Sequence, residues 1–196
     1  MMPIEPVTLT GRLVRLEPLQ MKHAHSLYEM GADPSLWRYR PIKPPATLKD
    51  WEEIIATMRQ KQEEGICLPF AIIDLARSCA VGETRYMSIV REDYGLEIGG
   101  TWLTPPLQRT GVNTECKYLL LRHAFEVWGA IRVQFKTHHL NLTSQRAIER
   151  LGAVKEGVLR NHMIMPDGSY RHSVYYSIIA SEWPEIKGRL EAKMRG

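Results

Sequence analysis

The chain has 196 residues, of which 44% are hydrophobic and 24% charged, the composition of an ordinary soluble globular protein with room for one sizeable core. Its net charge of +4 is spread along the sequence, whereas nucleic-acid-binding proteins concentrate their basic residues on one element. No apolar run is long enough to span a bilayer, and the start lacks the pattern of a signal peptide. We therefore expect one cytoplasmic domain over residues 1–196, with no nucleic-acid or membrane partner.

Cysteines and histidines give no sign of a disulfide framework or a metal centre. The three cysteines are an odd number without a Cys-x-x-Cys spacing, and Cys116 lies on the apolar face of a predicted helix, as a small core residue does. The seven histidines contain no His-x-x-x-His pair. His138 and His139 are neighbours near a predicted strand, where consecutive side chains point to opposite faces. We expect no bound metal.

The first half of the chain predicts two short elements, then a helix and three strands. Residues 11–16 read as a strand and residues 21–30 as a short helix. Thr47 followed by Asp50 is typical of a helix start, and apolar residues then recur at helical spacing up to Gly65. Turn-forming residues separate three strand-like runs that predict an antiparallel meander, at residues 68–74, 80–91 and 96–103.

The second half alternates helices with strands. It predicts helices over residues 113–128 and 143–151, the second preceded by a half-buried strand over 131–136. Two further strands, at 153–159 and 172–179, flank the turn-forming Pro166-Asp167-Gly168, and a last helix begins with Ser181 as its cap. Together these elements predict an α/β fold (α+β in class), with a mixed, mostly antiparallel central sheet and helices on both faces.

One junction in this pattern carries chemical information. The strand that ends near Leu103 runs through two prolines into Gln108-Arg109-Thr110-Gly111-Val112-Asn113, where the long helix begins. A helix N-terminus has unpaired N–H groups and a partial positive charge, which attract phosphate. Gly111 allows close approach of an anion and Arg109 adds a charge. A plain connecting loop is the alternative.

The junction and the sequence after it resemble a known family. Gln108 to Asn113 is similar to the pyrophosphate-binding signature of the GNAT superfamily of N-acetyltransferases, although Asn113 stands where the family has a small residue and is expected to help cap the helix. The resemblance to the RimJ/RimL branch covers nearly the whole chain. Its other motifs are residues 113–117, 119–125, 141–144, 147–153, 156–160, 167–168 and 182–184.

The resemblance implies that the protein binds acetyl-coenzyme A. The strand before the loop is expected to splay from its neighbour, so that its exposed backbone can hydrogen-bond the pantetheine arm like an added strand. Asn141 and Ser144 match positions near the thiol end, although Asn141 is also a good helix cap. The implied cofactor-binding residues are Trp102, Leu103, Thr104, Gln108, Arg109, Thr110, Gly111, Val112, Asn113, Thr114, Asn141 and Ser144.

The family's reaction implies direct attack of a neutral amine on the thioester in a ternary complex, which needs a base, an oxyanion donor and an acid. Glu97 stands eleven positions before Gln108, where relatives have a glutamate that acts as the base. The alternatives are a substrate-orienting carboxylate and a salt bridge within the sheet. Leu103 N–H is expected to face the oxyanion.

The acid is less evident, because Ile148 occupies the position of the tyrosine that many relatives use. Ser144 is the leading candidate to protonate the thiolate, with Tyr175 and Tyr176 also open. His172, which replaces an acid of the branch, reads as a surface strand residue.

These features favour an N-acetyltransferase that acts on a primary amine, either a protein or peptide N-terminus or a small molecule. The alternative is an acyl-CoA-binding regulatory protein with little turnover. The segment 37–40 is an aromatic and basic cluster that either lines the acceptor groove or packs as a loop. A homodimer through the C-terminal strands is compatible with the apolar residues Val174, Tyr175, Ile178 and Ile179, which core packing explains equally well.

Overall fold

The computed structural model describes residues 2–195, which contain one eight-stranded sheet in the order β1-β2-β3-β4-β5-β6-β8-β7. All neighbouring strands run antiparallel except β5 and β6, which are parallel. This confirms the predicted mixed sheet. The strands are β1 (Leu9–Thr10), β2 (Val14–Pro18), β3 (Cys67–Asp74), β4 (Cys79–Val90), β5 (Gly95–Leu103), β6 (Arg132–His138), β7 (Val154–Ile164) and β8 (Tyr170–Ile179).

The described residues also form five α-helices, namely α1 (Ala24–Met30), α2 (Leu48–Glu63), α3 (Gly111–Arg122), α4 (Leu142–Glu149) and, after the last strand, α5 (Trp183–Arg195). Thr47 and Asp50 form the predicted capping box of α2. The predicted helix 113–128 starts earlier, at Gly111, and its last turn, His123–Val127, is a π-helix. The predicted cap Ser181 is separated from α5 by Glu182. No helix within residues 2–195 is long and apolar enough to cross a membrane.

Helices cover both faces of the sheet, as the sequence predicts. Alternate residues of β3 enter two cores, with Phe70 and Ile72 packed towards α3 and α5, and Ala71 and Ile73 packed towards α1 and α2. A strand buried on both faces loses the usual apolar–polar alternation, which explains why β3 is an unbroken apolar run. Cys116 is fully buried in the core beneath α3, as predicted.

Strands β5 and β6 separate after a short paired stretch. They pair only where Gly95, Leu96 and Glu97 face residues 132–134. Beyond Gln134, β6 continues alongside β8, while β5 stays with β4 to Leu103. The edge of β5 that faces β6 is therefore open from Ile98 onward. This fork is the predicted splayed strand pair.

A β-bulge at Gly100 reverses the side-chain alternation of β5. Between Trp102 and Gly99 the strand has two residues where β4 has only Thr84. Gly100 has φ +61°, and a Cβ there would lie 2.2 Å from Arg85 Nε. Because of the extra residue, Trp102 faces the α1–α2 layer and Thr101 faces α3.

The C-terminal strands leave less apolar surface for a dimer than the sequence suggests. Val174 and Ile178 are almost fully buried within the chain's own core, and of the predicted residues only Ile179 is exposed. Core packing therefore accounts for two of the four predicted residues. Further exposed apolar residues lie on the edge strand β7, among them Val158 and Leu159.

Candidate active site

Glu97 lies at the apex of the fork, the point where β5 and β6 part. Glu97 is the last residue of β5 that pairs with β6, and its side chain is only 2% exposed. Gln134 Nε2 donates to its carboxylate at 3.1 Å, and Lys136 Nζ lies 3.4 Å from the same oxygen. The structure thus contains the predicted salt bridge within the sheet. It also leaves a carboxylate where the open edge of β5 begins, the position that a base or a substrate-orienting group needs.

The segment 37–40 reaches this apex from the α1–α2 side. Trp37 packs in the core, with its ring 5.7 Å from Trp51. Arg40 Nη1 donates to the carbonyl of Gly100 at the bulge, at 3.1 Å. Arg171 Nη1 donates to the carbonyl of Tyr39 at 3.3 Å. The tryptophan of this segment therefore packs in the core, as one alternative predicts, and its arginine contacts the fork. That the segment lines the acceptor groove stays a prediction.

Two further cations surround the apex. Lys136 lies over the ring of Tyr175, 5.7 Å from its centroid. Arg171 is 6% exposed, its Nε donates to Ser173, and its burial lowers the pKa of the guanidinium. Positive charge therefore exceeds negative charge around Glu97.

The loop that resembles a pyrophosphate-binding signature leads into α3, and Thr110 is the N-cap of this helix. Thr110 Oγ1 accepts from Val112 N–H at 3.3 Å and donates to the Leu107 carbonyl at 2.7 Å. The sequence-based role of Asn113 as a cap is wrong, because α3 already begins at Gly111 and Asn113 is its third residue. Helix geometry leaves the first N–H groups of α3 without intrahelical partners. Arg109 reaches this end in a left-handed conformation, with φ +63°.

Glu115, the fifth residue of α3, links the start of this helix to the segment between β1 and β2. Its carboxylate accepts three backbone N–H groups, from Arg12, Leu13 and Val14, at 2.7 to 3.0 Å. Gly11 makes room for this contact, since a Cβ there would lie 2.5 Å from Glu115 Cδ. The start of α3 is thus held by an element about a hundred residues away.

A basic cavity of about 420 Å³ lies at this end of α3. Four cationic side chains line it, and one carboxylate, Glu115, is occupied by the backbone donors. The cations are Arg12, Arg109, Arg150 and Lys193. Cations beside free helix N–H groups suit an anion with several phosphates, so these residues fit the phosphate end of coenzyme A.

The backbone around Trp102 is only partly available to a ligand. The Trp102 side chain is core, with its ring 5.5 Å from Trp51. Thr104 N–H donates to Val81, and the Thr104 carbonyl accepts from Leu107 N–H. The Leu103 carbonyl accepts from the Gln108 side chain at 3.0 Å. Thr104 is therefore less suited to contact pantetheine than the residues nearer the fork.

Helix α4 begins on the opposite side of the fork. Asn141 caps it, with its side-chain oxygen accepting from Ser144 N–H at 3.0 Å. Ile148, at the position of the absent tyrosine, is buried. Burial and a hydrogen bond to Glu149 raise the pKa of Tyr176 to about 12, so this tyrosine is a poor proton donor.

The histidines at the end of β6 do not point apart as predicted. The rings of His138 and His139 stack, with centroids 4.6 Å apart, and His139 lies equally close to His172. The alternation fails because β6 ends at His138 and the chain turns there towards α4. Burial, with His139 and Arg171 nearby, lowers the pKa of His138 to about 4. The half-buried His172 thus belongs to a ring cluster.

The profile of the acetyltransferase (GNAT) domain family matches residues 13–154, which include the fork, the loop and the start of α4. The chain belongs to the GNAT family. The predicted superfamily is therefore confirmed, and the protein is an N-acetyltransferase.

Solved structures share the fold of this GNAT protein over nearly its whole length. A GCN5-related N-acetyltransferase from Brucella melitensis is 31% identical, with a TM-score of 0.89 over 96% of this chain and 86% of its own. A candidate acetyltransferase from T. thermophilus is 40% identical, with a TM-score of 0.85 and coverage of 98% and 99%. Mycobacterium smegmatis RimJ, solved with CoA-disulfide, is 24% identical, with a TM-score of 0.85 and coverage of 97% and 96%. This last likeness shows a shared fold. A search of curated proteins gave no significant match.

Sequence reasoning missed two buried charged residues near the loop and the fork, Glu115 and Lys117. Both lie in the first two turns of α3, and both are 6% exposed. Lys117 had a visible signal, because it stands three and four residues from buried apolar positions of the helix, on a face that enters the core. Glu115 had none, since its partners come from a distant turn.

Proposed function

We propose that this protein transfers an acetyl group from acetyl-CoA to a primary amine, by direct attack within a ternary complex. The observation that carries the proposal is the fork, which opens at a buried carboxylate, Glu97, on a sheet whose next helix presents a basic N-terminal cavity. When bound, acetyl-CoA supplies a thioester, whose carbonyl carbon an amine can attack. The acceptor is a protein or peptide N-terminus or a small molecule.

Each part of the site has a proposed task. The N–H groups of Gly111 and Asn113, together with Gln108, Arg109 and Thr110, hold the pyrophosphate, while the open edge of β5 beyond Glu97 and the Asn141 side chain orient the pantetheine arm. Leu103 N–H faces the oxyanion. Glu97 receives the ammonium proton, directly or through water, so that the amine attacks in its neutral form. Ser144 contacts the thiol end.

One observation favours a second function, an acyl-CoA-binding regulatory protein. Ile148 is a core residue at the position where many relatives have a proton donor, and Glu97 is already paired with Lys136. A protein with this site could bind the thioester and rarely turn it over.

Thiol release from acetyl-CoA over a panel of amines separates the two functions. We expect release above background with at least one amine class, among N-terminal peptides, free amino acids and polyamines. Coenzyme A binding without amine-stimulated release would contradict the transferase proposal and support the regulatory one.

The Gly111→Asp variant tests the cofactor loop. A carboxylate at this helix start is compatible with folding, because negative charge is favourable there, but it would meet the phosphates and weaken coenzyme A binding by about 100-fold. Gly157→Asp is the matched control, since a Cβ added at Gly157 meets no atom within 4 Å. An unchanged dissociation constant in the loop variant would refute the assignment.

A further inference from the structure

Lys117 is a buried cation that the proposed mechanism does not use. It projects from α3 beneath the sheet and is 6% exposed. Its Nζ donates to Thr101 Oγ1 at 2.5 Å and to Thr84 Oγ1 at 3.3 Å. Within residues 2–195 no carboxylate lies within ion-pair distance of it. Burying an uncompensated ammonium is costly, so hydroxyl contacts alone are a poor structural reason for this lysine.

The partner of Lys117 lies on the open edge of the fork. Thr101 follows Glu97 by four residues, on the part of β5 that β6 no longer covers. The Gly100 bulge turns its side chain towards α3, and the residue remains partly exposed. Thr101 Oγ1 accepts a hydrogen bond from Lys117 Nζ, and its own hydrogen can reach the Thr84 hydroxyl at 2.9 Å or the Gly99 carbonyl at 3.4 Å. The contact with Gly99 is long and therefore weak, so rotation of the hydroxyl makes this hydrogen available to a ligand in the fork.

We propose that Thr101 protonates the departing thiolate of coenzyme A and that Lys117 resupplies the proton through Thr101. This rests on the proposed transferase function. When the C–S bond breaks, sulfur takes the hydrogen of Thr101 Oγ1, and this oxygen takes one from Lys117 Nζ. Lys117 is left neutral and regains a proton from solvent through Thr101 once the product leaves. The ammonium proton that Glu97 takes first passes to solvent, and Glu97 then takes the second proton, which nitrogen loses when the amide forms. Nitrogen thus loses two protons, sulfur gains one, and one is released to solvent.

This pair is better suited to the task than Ser144. An alcohol is a much weaker acid than a thiol, so a hydroxyl protonates a thiolate only if another group replaces its proton at once. Lys117 can replace the proton of Thr101 in this way, because its Nζ donates to Thr101 Oγ1. The Ser144 hydroxyl has no hydrogen-bond partner in the described part of the chain, although its N–H is held by Asn141.

The surroundings of Lys117 support a proton that can leave. Burial lowers the pKa of Lys117 to about 8. Burial also raises the pKa of the neighbouring Cys116 to about 12 and that of Tyr86, on β4, well above its usual value. These two groups are thus neutral, and Lys117 is the charge that faces Thr101 from α3, while Arg40 and Arg85 lie at the neighbouring Gly100.

Lys117→Met tests the proposal without threatening the fold, because it replaces a buried ammonium with an apolar chain of similar length. We expect an unchanged or higher Tm and an unchanged Kd for coenzyme A. At saturating amine, kcat should fall by about 100-fold. The parent's kcat should decline above about pH 8, where Lys117 loses its proton, and the variant should lack this decline. Thr101→Val should lower kcat to a similar extent, and Thr101→Ser should restore most of the rate.

A second measurement does not depend on turnover. The thiol of bound coenzyme A is titrated by the ultraviolet absorbance of its thiolate, in the parent and in Lys117→Met. A cation near sulfur favours the thiolate, so its loss should raise the thiol pKa by about one unit. A merely structural lysine would leave this pKa unchanged. An active parent with equal kcat, pH profile and thiol pKa in the variant would overturn this proposal alone. A parent that transfers to no amine would overturn the transferase function and this proposal together.

Discussion

At the scale of single residues, the position of Glu97 decides what the fork can do. Its carboxylate sits where the paired strands part, and it is held by Gln134 and Lys136. One hydrogen bond and one ion pair fix its orientation, which a base needs if a proton is to be removed in one geometry. The same contacts would orient a substrate ammonium, and kinetics can separate these roles.

Glu97→Gln should lower kcat by about 100-fold near neutral pH, because an amide keeps the shape and the contact with Gln134 but accepts no proton. The Kd for coenzyme A should stay nearly constant, since the phosphate contacts lie at α3. Steady-state kinetics over pH 6 to 9 with calorimetric CoA titration measure both. Glu92→Gln, in an exposed turn, is the control. Equal kcat in parent and variant would remove Glu97 from proton transfer, and a changed KM alone would assign it to substrate orientation.

At the scale of elements, the bulge in β5 organises the site. It lets Glu97 and Trp102 share one face although five positions separate them, and it turns Thr101 to the other face. Without the extra residue, strict alternation would place these side chains on the wrong layers. The bulge thus places Glu97 and Trp102 on the acceptor side of the sheet and Thr101 on the side of α3.

Gly100→Ala should damage both stability and catalysis. A left-handed conformation costs a non-glycine residue about 1 to 2 kcal/mol, and the new Cβ would press on Arg85, so Tm should fall by roughly 5 °C or more. The kcat should fall further than the lost folded fraction explains. The control is Gly188→Ala, at an exposed position of α5 where an added Cβ meets no atom within 4 Å. This variant should raise Tm slightly. Thermal unfolding would contradict this account if both variants shifted alike.

The elements also show how far sequence reasoning reaches. The loop before α3, the capping box at Thr47 and the cap Asn141 were predictable, because capping and apolar periodicity act over a few neighbouring residues. The bulge was not, since Gly100 is required by Arg85 on another strand. The contact of Glu115 with three backbone N–H groups was not predictable either, because these donors lie 101 to 103 residues away. A site built from long-range contacts is visible only once the strands are paired.

At the scale of the whole molecule, one sheet carries both cores, and the fork lies between them. We propose on this ground that residues 1–196 act as one N-acetyltransferase domain. The α1–α2 layer with segment 37–40 shapes the acceptor side, while α3 and α4 shape the donor side. Two features join the α1–α2 layer to the C-terminal strands. One is Arg171, and the other is the ring cluster of His138, His139 and His172.

This contact between the layers makes the free energy of unfolding depend on pH. The pKa of His138 is about 4 in the folded chain and near 6.5 in the unfolded one, so between these values the unfolded state binds more protons. Stability contributed by neutral His138 is therefore present above pH 6.5 and is lost as pH falls towards 4. The charged and titratable groups that face the ring are His139, His172, Arg171 and Tyr39, and they add no carboxylate that would reverse the sign.

His138→Asn should flatten this loss. The asparagine oxygen can replace Nδ1 as acceptor for Leu140 N–H, a 3.0 Å contact, but it does not titrate. Urea unfolding from pH 7 to pH 4 should show a shallower fall in the free energy of unfolding for this variant than for the parent. His25→Asn, on the exposed surface of α1, should keep the parent's slope. Parallel pH profiles for all three proteins would show that protonation of His138 does not weaken the join between the layers.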